Sequence, residues 1–329
     1  MANLINQISI KNFKSLKDLR LEDCRRVNLL IGQPNVGKSN LLEALSLFSI
    51  PYLCETKGND LGDLVRAENA AEFFFDGDSS APIEIELGEN LGVVVERNDK
   101  NGLTIFIVNG EDRVAEYSVS NKLILKGTEG QRIDAVYVLT YKYEPSVKKQ
   151  SFGVSFLMPP FGTNLMETLK QLPELKEEIN NMMDGYGLKI VYDSASQELK
   201  AMKIKSDEIF LVPFTSLADS IQRLVFNKAA IMGNHGKVIC LEEPETHVFP
   251  PYIASVVQEI IASDDNQFFI STHSPYVANM MMESLRDELA IYFLSLVSGQ
   301  TVARRATDEE VQEMYDNGVD MFFNMETYL

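Results

Sequence analysis

The stretch Val27-Asn-Leu-Leu-Ile-Gly-Gln-Pro-Asn-Val-Gly-Lys-Ser-Asn-Leu-Leu-Glu-Ala-Leu45 decides the fold. Its first five residues are an apolar run bounded by glycine, which predicts a strand buried on both faces, as in a parallel sheet. After Gly37, the residues Leu41, Leu42, Leu45 and Phe48 recur at helical spacing, and a stop is expected before Pro51. Between strand and helix, Gly32-Gln-Pro-Asn-Val-Gly37-Lys38-Ser39 matches GxxxxGK[ST] in the context that the motif requires. Glycines let the backbone wrap a β-phosphate with its N–H groups pointing inward, and the helix that starts there adds the positive end of its dipole. Lys38 is placed to reach β- and γ-phosphates, and Ser39 to ligate Mg²⁺. Gly32, Gln33, Pro34, Asn35, Val36, Gly37, Lys38, Ser39 and Asn40 form the expected nucleotide cradle.

Working outward, Val238-Ile-Cys-Leu241-Glu242-Glu243-Pro244-Glu245 is an apolar strand ending in consecutive carboxylates. At the C-terminal edge of a parallel sheet, where ligands gather, Glu242 is expected to hold the Mg²⁺ hydration shell and Glu243 to polarise the attacking water. Alone, four apolar residues before two glutamates are a weak signal. About 200 residues after a phosphate loop they become a strong one. The next expected strand, Gln267-Phe-Phe-Ile-Ser271, runs into Thr272-His273-Ser274-Pro275. His273 is thereby expected within reach of the γ-phosphate or the water. His247 is a weaker candidate, and His235 lies in a polar turn with no suggested role.

The rest of the chain reads as one α/β head over residues 1–329. Ile8, Ile10 and Phe13 mark a first strand region, and Leu19 and Leu21 a second. Between about residues 80 and 141 the alternation is of the β kind. Ile83-Glu-Ile-Glu-Leu87, Val93-Val-Val-Glu, Leu103-Thr-Ile-Phe-Ile-Val108 and Ala135-Val-Tyr-Val-Leu139 are expected to form an antiparallel lobe. Residues 155–232 are expected to be a helical lobe, interrupted at Pro173. From residue 216 onward helices and strands alternate, which argues for a mostly parallel sheet.

The chain has 329 residues, 48 acidic and 30 basic, for a net charge of −18. That balance gives no support to nucleic acid wrapped over most of the surface, although local basic patches such as Lys142, Lys148 and Lys149 exist. Three cysteines, Cys24, Cys54 and Cys240, lack CxxC spacing, so neither a disulfide frame nor a zinc site is suggested. No apolar run approaches membrane-helix length and the N-terminus carries no secretion signal, so a cytoplasmic location is expected, with no membrane partner.

These residues resemble a known family. Ile8-Ser-Ile-Lys-Asn-Phe-Lys-Ser15, the phosphate loop followed by Asn40-Leu-Leu-Glu-Ala44, the block Leu241-Glu-Glu-Pro-Glu-Thr-His247, and Ser271-Thr-His-Ser-Pro275 look like the ABC-type ATPase heads of the SMC, RecF and OLD (overcoming lysogenisation defect) class, in family order. The resemblance implies a P-loop NTPase fold and a head that dimerises around two ATP molecules. Each would be held between the phosphate loop of one subunit and a serine/glycine-rich helix start of the other. The matching segment is Ser216-Leu-Ala-Asp-Ser-Ile-Gln-Arg223, with Ser216, Asp219, Ser220 and Gln222 as the expected trans contacts. It departs from the family pattern: Ala218 stands where a γ-phosphate-binding serine is expected, and Ser220 where a glycine is. Glu242 likewise replaces the usual aspartate. Lys14 and Ser15 approach the nucleotide by family analogy or end a solvated strand, and Phe13 reads as core.

No long coiled coil of the SMC kind is present, and 54 residues follow Pro275, which leads to the expectation of a bare head without the Toprim nuclease domain of OLD proteins. Two function classes follow. One is an ATP-hydrolysing switch whose dimer opening is relayed to a separately encoded partner, in DNA repair or antiphage defence by family association. The other is a slow-turnover ATP-binding module that sequesters or positions a nuclease or toxin. An ATP-dependent DNA-binding head is a third reading, with little help from the net charge. No NKxD segment appears, because Asn227-Lys228 is followed by Ala-Ala, which disfavours a GTPase.

Overall fold

In the computed structural model, residues 5–56, 59–129, 137–145, 150, 152–205 and 208–328 are described. Along the chain the first elements are β1 (Ile8–Phe13), β2 (Leu16–Leu21), β3 (Val27–Gly32), α1 (Lys38–Ser46) and α2 (Ile50–Glu55). Then come β4 (Ile83–Leu87), β5 (Leu91–Arg97), β6 (Leu103–Asn109), β7 (Asp112–Val119), β8 (Leu125–Glu129) and β9 (Val138–Tyr141). They are followed by α3 (Leu165–Gln171), α4 (Pro173–Asp184), β10 (Lys189–Asp193), β11 (Glu198–Lys205), β12 (Glu208–Pro213) and α5 (Asp219–Met232). The last are β13 (Val238–Glu242), α6 (Pro250–Ala262), β14 (Gln267–Ser271), α7 (Pro275–Leu285), β15 (Leu289–Val297), β16 (Gln300–Arg305) and α8 (Asp308–Asp316).

These elements form two compact units. The first comprises residues 1–140, 236–243 and 264–329, the second residues 141–235 and 244–263.

In the first unit, all six residues of β3 are buried, as an apolar run with no polar alternation requires. β3 sits inside a six-stranded sheet of order β16-β15-β3-β14-β13-β9. It runs parallel to β14, with Leu30 opposite Ser271, and to β15, with Gly32 opposite Leu294. β13 runs parallel to β14, with Glu242 opposite Ser271. Parallel pairing brings the C-terminal ends of β3, β14 and β13 to one edge, which is where the phosphate loop, His273 and the two glutamates begin.

The second sheet of this unit is antiparallel, of order β2-β1-β4-β5-β6-β7-β8. It takes in β1 and β2 as well as the expected lobe, because Ile8, Ile10 and Phe13 are buried along β1, all three pair with β2, and Ile8 and Ile10 pair with β4. The expected lobe strand at residues 135–139 differs: residues 135 and 136 lie outside the described residues, and β9 borders β13 in the other sheet. All four residues of β9 are buried, which suits a strand of that sheet better than one with a wet face. β7 carries Asp112, Arg113 and Glu116, charges that obscured its alternation in the sequence. As expected, α1 stops before Pro51, at Ser46; Pro51 itself sits in the first turn of α2, where a missing N–H costs nothing.

The second unit holds α3 to α6 and a three-stranded antiparallel sheet, β10-β11-β12, which the expected helical lobe did not include. Pro173 again sits at a helix start, that of α4. Lys228 on α5 is buried and ties three helices together. Its ammonium pairs with Glu178 of α4 and, at 3.2 Å, with Glu259 of α6. Ser255 Oγ lies 3.1 Å from Lys228 Nζ and donates to Glu178 at 2.8 Å. Lys148 and Lys149 lie outside the described residues.

Candidate functional site

The phosphate loop is shaped by its two glycines. Gly37 caps α1 with φ 100°, a conformation that L side chains rarely adopt. A Cβ there would lie 2.1 Å from Thr301 Oγ1 and 2.8 Å from Ser15 Oγ, and one on Gly32 would lie 2.6 Å from the Leu294 carbonyl oxygen. Thr301 and Ser15 are hydrogen-bonded to each other at 2.7 Å, Thr301 donates to the Val36 carbonyl at 2.9 Å, and Asn40 Nδ2 donates to Ser15 Oγ at 2.7 Å. Asn40 thus helps to brace the loop from behind, and Ser15 belongs to that brace.

Lys38 is buried and folds back over the loop, donating to the carbonyl oxygens of Gly32 at 2.7 Å and Gln33 at 2.9 Å. Burial pulls its ammonium below the ordinary lysine range, against the opposing pull of the Glu243 and Glu242 carboxylates. Gln33, Pro34 and Asn35 form the exposed rim of the loop, while Val36 is buried.

Glu243 follows β13 with φ 43°, left-handed backbone that a non-glycine residue holds at a cost of about 1–3 kcal/mol. Its own N–H is anchored to the Ser271 carbonyl at 3.0 Å. Its Oε1 lies 3.4 Å from His273 Nε2, with each side chain 38 % exposed. Strain at this position turns the carboxylate out of the strand direction and toward the histidine. The expected base and the expected sensor therefore share one edge with the phosphate loop.

Two further residues, neither given a role by the sequence, lie in the same place. Arg66 reaches Glu242 Oε1 through Nη2 at 2.8 Å and Glu43 Oε1 through Nε at 2.6 Å. Glu43, on α1 one turn past Ser39, is 2 % exposed and also accepts from Lys14, so Lys14 folds inward and is not a solvated strand end. Ser271 is the second. Its Oγ is buried and has no hydrogen-bond partner among the described residues, and it stands opposite both Leu30 of β3 and Glu242 of β13. Arg66 sits in no motif and is revealed only by its ion pairs; Ser271 opens the Ser271–Pro275 block, and only the paired strands place it between β3 and β13.

The donor set fits a magnesium–nucleotide complex. Mg²⁺ takes oxygen ligands, usually one or two from protein and the rest from phosphate and water. Ser39 and Glu242 are such oxygens, the orphaned Ser271 hydroxyl offers a further partner for a bound water, and the glycine positions are ones a Cβ would fill. Among the described residues no group of three or more His, Cys, Asp or Glu side chains forms a metal centre of its own.

The remaining expected contacts lie in the second unit. Ser216 and Asp219 are exposed, and Asp219 pairs with Arg223 at 2.7 Å. Ser220 Oγ donates to the His247 carbonyl at 2.9 Å. Gln222 is a correction: it is buried, donates to the carbonyls of Leu217 at 2.8 Å and Thr215 at 3.2 Å, and accepts from Tyr143 Oη at 2.6 Å. Its amide is spent on shaping the turn before α5 and presents nothing outward. His247 is exposed, with φ 59°.

Residues 4–86 match a family described as AAA ATPase domain. An ATP/GTP phosphatase of Helicobacter pylori is 21 % identical over 380 aligned positions that take in 97 % of this chain and 100 % of that one. The DNA replication and repair protein RecF of Lactococcus lactis is 24 % identical over 197 positions, 54 % of this chain and 53 % of RecF, so this chain spans about half of RecF. Among solved structures, the Pyrococcus furiosus Smc head domain with an extended coiled coil, bound to the C-terminal domain of ScpA, superposes with TM-score 0.52 at 12 % identity over 96 % of this chain and 99 % of that one. An SmcHead bound to the C-winged helix domain of ScpA gives 0.50 at 12 % identity, over 94 % of this chain and 99 % of that one. The fold is that of these Smc head domains, a mixed α/β architecture of the P-loop kind. No helix among the described residues is long and apolar enough to cross a membrane.

Proposed function

We propose that this SMC/RecF-like head binds Mg-ATP at residues 32–39 and hydrolyses it to ADP and phosphate. The observation that carries the reading is the strained Glu243, whose carboxylate faces His273 at 3.4 Å beside a lysine-bearing phosphate loop. When bound, Mg²⁺ supplies charge neutralisation across the β- and γ-phosphates. Ser39 and Glu242 would hold it. The loop N–H groups orient the phosphates, and Lys38 exchanges its two loop carbonyls for phosphate oxygens. Glu243 accepts the proton of the attacking water as general base. His273 donates to the γ-phosphate or holds that water in line.

The reading extends to a homodimer in which Ser216, Asp219 and Ser220 of a second copy complete the ATP site, and whose opening is relayed to a separately encoded effector in DNA repair or antiphage defence. The exposed Ser216 and Asp219 support the dimer, and family association alone supports the effector. A second reading, a slow-turnover ATP-binding module, draws support from Ala218, which caps α5 without a side-chain oxygen, and from the inward-turned Gln222. Phosphate release and light-scattering mass with and without Mg-ATP separate the two. Glu243→Gln is expected to keep ATP binding and lose about 10²–10⁴-fold in rate, with doubled mass in ATP. Wild-type turnover in that variant would remove Glu243 as the base, and monomeric mass in ATP with no turnover in either protein would favour the module.

A further inference from the structure

Arg66 neutralises the carboxylate expected to serve the metal, and it does so from a tethered position. Its guanidinium forks across two carboxylates, Glu43 through Nε at 2.6 Å and Glu242 through Nη2 at 2.8 Å. The Glu43 arm is the secure one: Glu43 is 2 % exposed and shared with Lys14, and Lys14 Nζ also donates to the Arg66 carbonyl at 2.7 Å. The Glu242 arm is wetter, at a carboxylate 27 % exposed. A planar guanidinium can serve both acids at once, which a single ammonium cannot do with the same geometry.

We propose that Arg66 is a latch on Glu242 that the divalent cation must displace. The inference rests on the metal–nucleotide reading above. Arg66 already neutralises Glu242 through Oε1, and a cation shell brought to the same carboxylate sets a second positive group against the guanidinium, so the two repel each other. Loading therefore exchanges the Glu242 arm while the Glu43 arm holds, so Arg66 swings about Glu43 and stays at the site. The latch sets the affinity for the cation and keeps the carboxylate paired in the metal-free protein. Since the arm is half-exposed, its loss is expected to change cation-linked affinity by about two- to fivefold, the worth of an exposed ion pair.

The test uses the whole chain and a non-hydrolysable ATP analogue, AMP-PNP, titrated calorimetrically in excess Mg²⁺ and in EDTA. The ratio of the dissociation constant in EDTA to that in Mg²⁺ measures how strongly the cation is linked to the nucleotide, and contacts made to nucleotide alone cancel in it. Arg66→Gln is expected to raise the ratio about two- to fivefold, and Arg66→Lys, which keeps a charge for Glu43, to raise it as well. Glu242→Gln should lower the ratio and abolish any effect of Arg66→Gln in the double variant. Thermal melts identify a variant that fails to fold, in which case the other carries the test. An unchanged or lower ratio in both Arg66 variants overturns the latch while leaving the metal site standing. A ratio near one in the unaltered protein overturns the metal site itself, and the latch with it.

Discussion

Replacing Gly37 with alanine tests the loop geometry most directly, because a second left-handed glycine, Gly110, separates its two penalties. At Gly110, φ is 63° and an added Cβ meets nothing within 4 Å. There the left-handed backbone costs about 1–2 kcal/mol, offset by about 0.4–1 kcal/mol from stiffening the unfolded chain. Gly110→Ala should therefore cost about 1 kcal/mol. At Gly37 the same backbone cost is joined by a Cβ 2.1 Å from Thr301 Oγ1. That hydroxyl is buried and makes hydrogen bonds to Ser15 and the Val36 carbonyl, so it must abandon both, at about 0.5–1.5 kcal/mol each. Gly37→Ala is thus expected to cost about 2–4 kcal/mol, and to lose ATP binding with the displaced loop. The assay is urea unfolding by circular dichroism at matched slopes, alongside binding of a fluorescent ATP analogue. In the Thr301→Ala background, which removes the clashing atom, the extra cost of Gly37→Ala should shrink by about 1–2 kcal/mol. If Gly37→Ala proved no more costly than Gly110→Ala, or if Thr301→Ala gave no relief, the packing account of the loop would be refuted.

Nucleotide binding should take up protons at alkaline pH. Burial lowers the Lys38 pKa in the free protein, so Lys38 is partly neutral just below the ordinary lysine range. Phosphate restores its charge, and calorimetry in buffers of different ionisation enthalpy reads the uptake. In the free protein the sign is opposite to that of a salt-bridged lysine. The Lys38 contribution to stability rises as pH climbs from the lowered folded value toward the unfolded one near 10.5, and Lys38→Met should flatten that slope. Lys228→Met should destabilise the chain by about 3–5 kcal/mol in urea, because it leaves Glu178 and Glu259 facing each other in a part-buried site; a loss under 1 kcal/mol would show the clamp to be weak. Ser271→Ala, which removes an orphaned buried hydroxyl, should be neutral or stabilising by up to about 1 kcal/mol without ligand. Clear destabilisation would mean that the hydroxyl has a partner.

The parts of the site that lie within a few residues of one another were legible, and those assembled across the chain were not. Residues 32–39 announce themselves because the loop's glycines, lysine and serine must sit at fixed spacing between one strand and one helix. β13 and β14 were readable for the same reason, as apolar runs that end in polar side chains. Arg66, by contrast, sits in Leu64-Val-Arg-Ala with no motif around it, and its partner Glu242 is 176 residues away. Thr301, which walls the loop, is 286 residues from the serine that it bonds. Pro51 was half legible: α1 stops before it, as read, but a missing N–H is equally suited to a helix start, and the sequence did not show that α2 opens there.

The sequence by itself determined the P-loop architecture, the glycine-bounded loop between β3 and α1 and the acidic strand end, because each is set by local periodicity and by residue types at fixed spacing. Tertiary structure alone decided that β1 and β2 join the antiparallel sheet, that β9 borders β13, that Gln222 turns inward, and that Lys14, Glu43 and Arg66 lead to Glu242. Strand order and ion pairing between distant segments depend on which buried faces and charges find each other. That is a property of the packed chain, and no window of the sequence contains it.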